Sequence, residues 1–270
     1  MVILTGRKNE FGLFVFGMEM KQDGGQKKIE LSEHRTFFYK FVSMQKLVVL
    51  TGAGISAESG ISTFRDAGGL WEGYDVMEVA SPQGWGKNRE LVLDFYNQRR
   101  RNLKDAKPNG AHLALAELQK KYNVTVITQN VDDLHERAGS KKIIHLHGQL
   151  TKSRSILDPN LVYDIKGTEL NIGDMCERGS QLRPHIVWFG EEVPEMERAM
   201  DITSQADMLL VIGTSLAVYP AASLLWYAKS TIPVYYIDPS VPDYRFDANV
   251  VHIKQKATVG MEVLLKKYLI

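Results

Sequence analysis

The sequence predicts an α/β protein built on a doubly wound parallel sheet with a smaller inserted module. Three observations carry this expectation. From residue 44 onward, short apolar runs alternate with amphipathic stretches, the pattern of strands covered on both faces by helices. The first apolar run, Lys46–Leu50 (KLVVL), leads straight into the glycine-rich turn Thr51-Gly52-Ala53-Gly54. Residues 151–182 break the alternation, being polar, irregular and interrupted by Pro159, Gly167, Gly173 and Gly179, so they read as the inserted module.

Lys46–Leu50 is the first element, a buried strand. Leu91–Asn102 is a polar helix with apolar positions at Leu91, Val92 and Phe95, and Ala111–Lys121 is an amphipathic helix after the break at Pro108-Asn109-Gly110. Val124–Ile127 and Ile143–Leu146 are the next core strands, and Met208–Ile212 (MLLVI) and Val234–Ile237 (VYYI) are two more. Ala221–Lys229 and Val259–Leu269 complete the pattern as helices. Residues 1–43 mix a short apolar patch with a Lys/Gly/Gln-rich stretch and hold no sustained period. They are expected to be either an extension upstream of a natural start at Met44 or a poorly ordered tail. Residues 44–270 are the expected catalytic domain.

Composition narrows the function. The chain has 270 residues, 44% of them hydrophobic and 24% charged, which is ordinary globular usage. Lys plus Arg is 33 against 32 for Asp plus Glu, a formal net charge of +1. That balance gives no support to nucleic-acid or membrane binding. No apolar run reaches the roughly 18 residues that span a bilayer. The single cysteine, Cys176, excludes an internal disulfide and a four-thiolate metal site. It fits a reducing cytoplasm.

Gly52 and Gly54 permit a tight turn and close approach of backbone to a pyrophosphate, which the N-terminus of a following helix would then face. Ala57 stands where a strict dinucleotide fingerprint has its third glycine, a position that accepts alanine. No acidic residue about 20 positions on offers itself for a ribose. Downstream, Ser62–Asp66 and Gly68–Trp71 form a long loop, of a kind that often serves as a lid. Phe64 and Trp71 there are either core anchors or part of the lid.

Gly52–Ile61 together with Thr63-Phe64-Arg65 strongly resembles the NAD⁺ loop of the sirtuin family, the NAD-dependent protein deacylases. Four more blocks match in order: Thr128-Gln129-Asn130-Val131-Asp132, His145-Leu146-His147-Gly148, Arg183–Glu191, and Gly213-Thr214-Ser215. The resemblance runs from about Met44 to the C-terminus and implies a Rossmann-like core. It implies NAD as cofactor, held by Gly52, Ala53, Gly54, Ile55, Ser56, Glu58, Ser59, Thr63, Phe64, Arg65 and Trp71. Gln129, Asn130, Asp132, Gly213, Thr214, Ser215, Asp238 and Ala257 complete the implied cofactor set. Val187, Phe189, Gly190 and Glu191 would hold the acyl-lysine of a protein substrate. In the implied reaction the acyl oxygen attacks the ribose C1′ and nicotinamide leaves. His147 then serves as general base, yielding free lysine and O-acyl-ADP-ribose. Imidazole suits that role because its pKa lies near the operating pH. His145 and His147, two apart at a strand end, are expected on one face; the resemblance selects His147. His112 and His135 are expected to be structural.

The sequence departs from the family in two places. Most sirtuins bind a structural zinc through two cysteine pairs. Here Ser153, Arg154 and Ser155 occupy the first-pair region and Cys176 stands alone in the second, with Ser180 nearby, so no metal is expected. Asp238 replaces the usual Asn beside the adenosine ribose; it can accept from ribose hydroxyls but cannot donate. Tyr96 and Arg99, at i and i+3 on one helix, share a face and offer a hydroxyl and a guanidinium to a carboxylate. That pair resembles the subgroup that removes succinyl and malonyl groups; the alternative is a solvated basic face continuing through Arg100 and Arg101. A mono-ADP-ribosyltransferase and a non-catalytic NAD- or ADP-ribose-binding module remain as competing functions.

Overall fold

The computed structural model describes residues 2–8, 14–20, 44–63, 70–71, 73–242 and 249–269. The chain divides into two compact units, Met1–Met44 and Gln45–Ile270. In the first, β1 (Val2–Lys8) pairs antiparallel with β2 (Phe14–Met20), Val2 opposite Met20 and Lys8 opposite Phe14. This pairing is not anticipated from sequence. The period-two recurrence of Phe14, Phe16, Met18 and Met20 is too short to stand out within the apolar patch.

In the second unit the chain runs through β3 (Lys46–Thr51), β4 (Leu70–Trp71), β5 (Tyr74–Asp75), α1 (Val76–Val79), α2 (Pro82–Lys87), α3 (Arg89–Asp105) and α4 (Gly110–Leu118). Next come β6 (Asn123–Thr128), α5 (Leu134–Arg137), β7 (Ile143–His145), β8 (Gly148–Ser155), β9 (Val162–Asp164) and β10 (Leu182–Ile186). The last are α6 (Met196–Ser204), β11 (Met208–Ile212), a 3₁₀ segment at Ala221–Tyr227, β12 (Val234–Ile237), β13 (Val250–Ile253) and α7 (Ala257–Lys267).

A six-stranded sheet in the order β13-β12-β11-β3-β6-β7 is parallel throughout. Period-two alternation along β3 sends Leu47 and Val49 to one face and Val48 and Leu50 to the other. The first face packs with Ala111 and Leu115 of α4 and Met261 and Leu264 of α7. The second packs with Ala199 of α6 and with Ala221 and Leu224 of the 3₁₀ segment. Burial on both faces is why β3, β11 and β12 read as unbroken apolar runs. The sixth strand, β13, lies at the sheet edge with only Ile253 fully buried, so it lacks that signature.

The expected insertion contributes to a three-stranded antiparallel sheet, β10-β8-β9. A third core joins that sheet to α1, α2 and α3 through Val79, Trp85, Val92, Phe95, Leu150 and Ile186. Polar clamps fix the join. The guanidinium of Arg100, only 3% exposed, donates to the carbonyls of Thr168 and Leu150 and to Asn97. Asn97 in turn exchanges bonds with the backbone of Leu170. Arg101 pairs with Glu169 at 2.7 Å on the surface. The run Arg99–Arg101 is therefore not a solvated basic face: Arg99 and Arg100 are buried and only Arg101 is exposed.

Candidate active site

The chain winds from β3 outward through β6 to β7, then returns to β11 on the other side of β3. The order reverses between β3 and β11, and in such sheets ligands bind outside the carboxyl ends of the strands at the reversal. The loops leaving these two strands meet there. Gly52 N donates to Ile212 O at 3.0 Å and Gly54 N to Gly213 O at 2.8 Å. A Cβ on Gly54 would fall 2.6 Å from Gly213 Cα, and one on Gly213, at φ +64°, 2.3 Å from Ile55 N. The glycines are thus required by contact between the two loops as well as by any ligand.

The loop beyond Gly52 corrects one expectation. It continues as two single 3₁₀ turns, Ala53–Ile55 and Ala57–Ser59, ended by Gly60 at φ +84°. No longer helix starts there, so the macrodipole argument for phosphate does not apply to this loop. Ile55 is fully buried among Leu47, Val49 and Leu115, and Ser59 Oγ accepts from Asn109 Nδ2 at 3.0 Å. Both belong to the scaffold under the loop and stand apart from the cavity wall formed by Gly52, Ala53, Gly54, Ser56, Glu58 and Thr63. Glu58 also caps α7, accepting from Thr258 N at 2.9 Å. Phe64 and Arg65 lie outside the described residues, and Trp71 is described by its backbone pairing with Tyr74.

Beneath the loop lies a buried polar network. Ser56 Oγ donates to Asp132 Oδ2 at 3.0 Å and accepts from Asn130 Nδ2 at 3.0 Å. His112 Nδ1 receives the Asn109 N–H, which leaves Nε2–H directed at Ser56 Oγ, 3.5 Å away. His135 Nε2 meets Thr51 Oγ1 at 3.0 Å, and its ring packs edge-on to His112. Burial lowers the pKa of His112 to about 4. Burial and two neighbouring histidines lower that of His135 to about 3, so both stay neutral. Burial chiefly raises the Asp132 carboxyl pKa.

His147 lies just beyond the end of β7. Its Nδ1 lies 3.0 Å from the carbonyl of Gln129. A carbonyl only accepts, so Nδ1 carries the proton and Nε2 keeps its lone pair. Burial holds the imidazole pKa below its usual value. Gly148, at φ +83°, brings β8 so close that a Cβ would lie 2.0 Å from His185 O. His145 does not share this environment: its Nε2 binds Glu136 at 2.6 Å. Because β7 ends at His145, strand alternation does not reach His147.

One cavity of about 730 Å³ gathers these parts. Its walls include Gln129, Asn130, Asp132, His147, Gly213, Thr214, Ser215, Asp238 and Ala257, and also Tyr96, Arg99, Val187, Phe189, Gly190 and Glu191. Gln129 Nε2 ties the β6 end to Thr214 Oγ1 at 3.2 Å. Asp238, 3% exposed at the end of β12, accepts from Ser240 N. Glu191, read from sequence as a substrate contact, is engaged within the protein. Its carboxylate takes Arg183 at 2.6 and 3.0 Å, Arg154 at 3.1 Å and Trp188 N at 2.8 Å. Trp188, inside the Arg183–Glu191 block, also walls the cavity, and so do four residues not singled out from sequence, Asn102, Val218, Tyr219 and Lys256. Of these only Asn102 carried a signal, standing one turn beyond Arg99 on α3.

The groups at the family's zinc position do not fit a metal. Cys176 Sγ lies 3.4 Å from Ser155 Oγ, and Arg178 pairs with Asp158 at 3.2 Å. Among the described residues no cluster of three or more His, Cys, Asp or Glu could hold an ion. The buried amide of Gln181 organises the loop instead. Its Nε2 reaches the carbonyls of Asn171, Asp174 and Leu182, and its Oε1 accepts from Gly173 N at 2.8 Å.

A parallel sheet with paired glycine loops at its reversal, facing a histidine with a free Nε2, defines a nucleotide-binding enzyme site. The sequence profile of the Sir2 family matches residues 52–220, and the chain belongs to that family. An NAD-dependent protein deacylase of Helicobacter pylori strain J99 is 59% identical over 224 residues, covering 83% of this chain and 95% of the relative. One from Bacteroides thetaiotaomicron is 54% identical, covering 82% and 97%. A crystal structure of a Sir2 homolog–NAD complex matches with a TM-score of 0.75 at 42% identity, covering 83% of this chain and 89% of that one.

Proposed function

We propose that this protein is an NAD-dependent protein-lysine deacylase that prefers succinyl- and malonyl-lysine to acetyl-lysine. The observation that carries the preference is that Tyr96 and Arg99 wall the same cavity as His147 and the glycine loops. The opening at the β3/β11 reversal is of a size and kind that fits NAD, which supplies an electrophilic ribose carbon and nicotinamide as leaving group. Gly52 to Gly54 and Gly213 to Ser215 bring backbone against the dinucleotide, and Asp238 accepts from ribose hydroxyls. Asn130 and Asp132, fixed through Ser56 and the neutral His112, shape the nicotinamide end. Phe189 and its neighbours hold the acyl-lysine stem. His147 Nε2 takes the proton of a ribose hydroxyl, and its tautomer is set in advance by the Gln129 carbonyl. Arg99 and Tyr96 offer charge-assisted bonds to an acyl carboxylate. The lone thiol fits a reducing compartment, which we take to be the cytoplasm. No helix among the described residues is long and apolar enough to cross a membrane.

The test is incubation with NAD and peptides of one sequence bearing acetyl-, malonyl- or succinyl-lysine, with products identified by mass. Release of free lysine, nicotinamide and O-acyl-ADP-ribose, fastest from the acid-bearing peptides, is expected. Transfer of ADP-ribose onto protein would instead assign a transferase, and binding without turnover a sensor.

A further inference from the structure

We propose that Trp188 is the positioning residue for acyl selectivity: its indole N–H turns the Tyr96 hydroxyl so that the phenolic proton is offered to an acid-bearing acyl group. This rests on the acyl preference proposed above. Trp188 Nε1 donates to the Tyr96 hydroxyl oxygen at 3.0 Å. A phenolic O–H lies near the ring plane because the oxygen conjugates with the ring, which leaves it two in-plane settings. With the indole N–H seated on one side of that oxygen, the proton turns to the other side. Among the described residues no acceptor meets that proton, although the Tyr96 ring is fully buried. Buried donors are rarely left unmet, and Tyr96 stands in the cavity wall, so an occupant supplies the acceptor. Burial pushes the Tyr96 hydroxyl pKa up to about 12, so it stays a donor rather than a phenolate at neutral pH.

The indole itself is held. The Arg183 guanidinium lies over its ring, 3.3 Å from the centroid. Arg183 is fixed in turn by Glu191 and by the carbonyl of Ile186. Arg154 of β8 binds the same carboxylate. The orientation of one hydroxyl in the acyl pocket is thus anchored in the antiparallel sheet of the module.

The test compares kcat/KM on succinyl-lysine and acetyl-lysine peptides of identical sequence. Trp188→Phe keeps an aromatic face for Arg183 and removes the N–H. The succinyl-to-acetyl ratio is expected to fall by about three- to tenfold, less than the full weight of a hydrogen bond to a charged partner, because the Tyr96 hydroxyl remains and loses only its orientation. In a Tyr96→Phe background the same substitution should leave the ratio where it stands. A loss shared equally by both substrates is a structural effect and overturns the proposal. A wild-type enzyme without the preference removes the underlying reading and this inference with it; a succinyl-to-acetyl ratio unchanged by Trp188→Phe overturns this inference alone. The unmutated protein gives an independent reading should the variant fail to fold. The Trp188 indole proton resonance should move on binding the succinyl peptide and hold still with the acetyl peptide. Equal shifts from both overturn the proposal.

Discussion

His147 owes its chemistry to a backbone carbonyl. The Gln129 oxygen fixes the proton on Nδ1, and burial keeps the ring neutral below the usual histidine range. His147→Ala should lower deacylation by about 10²–10⁴-fold while leaving the melting temperature near that of the parent. Near-parental turnover would place the base elsewhere. The acidic limb of the kcat/KM profile should lie below pH 6.5, because protonation of Nε2 abolishes the base and burial opposes it. The role proposed for Arg99 is one of charge rather than of proton transfer. Arg99→Met should cut the succinyl-to-acetyl ratio by about 10- to 150-fold, since a charge-assisted bond contributes roughly 1.5–3 kcal/mol. An unchanged ratio in kinetic assays of the variant would remove Arg99 from the acyl pocket.

At the scale of elements, a buried amide organises the loop at the family's zinc position. The Arg178–Asp158 pair is largely exposed on the arginine side, and such pairs contribute about 0–1 kcal/mol. Gln181 carries more because it is buried and bonded at both ends of its amide. Gln181→Ala should destabilise the fold by about 1–3 kcal/mol in urea melts; a change within error would assign the loop to other contacts. Elemental analysis should find no stoichiometric zinc, and chelators should leave both activity and melting temperature unchanged. One zinc per chain would refute this. Strands β3, β6, β11 and β12 were legible in the sequence because buried strands are apolar almost throughout. Strands β8, β9, β10 and β13 were not, because their partly exposed faces mix polar and apolar residues. Within the site, residues in compact blocks such as Gln129–Asp132 could be read. The links from Ser56 to His112 and from Tyr96 to Trp188 could not, as they join residues 56 and 92 positions apart. Local spacing carries no trace of such pairs.

At the scale of the whole molecule, buried neutral histidines set the response to acid. The pKa values of His112, His135 and His185 are lowered from 6.5 to about 4, 3 and 4, chiefly by burial. Above pH 6.5 these groups are neutral in both folded and unfolded chains and leave stability unaffected. Below it the unfolded chain takes up protons that the native state excludes, so stability falls as pH falls toward about 4. Each proton contributes about 1.4 kcal/mol per pH unit, so the three together reach about 4 kcal/mol per unit. Thermal melts on either side of pH 6.5 should show this slope, and His112→Gln should flatten it; a melting temperature independent of pH through that window would contradict the assignment. The absence of a zinc-thiolate corner reaches further than stability. A chain whose module closes on an ion must wait for that ion, and its folding yield tracks the metal supply. Here the closing parts are an amide, hydroxyls and backbone, all delivered by translation itself. Fresh chains can therefore complete the module at a rate set by the polypeptide alone, and cells starved of zinc should make as much folded enzyme as cells supplied with it.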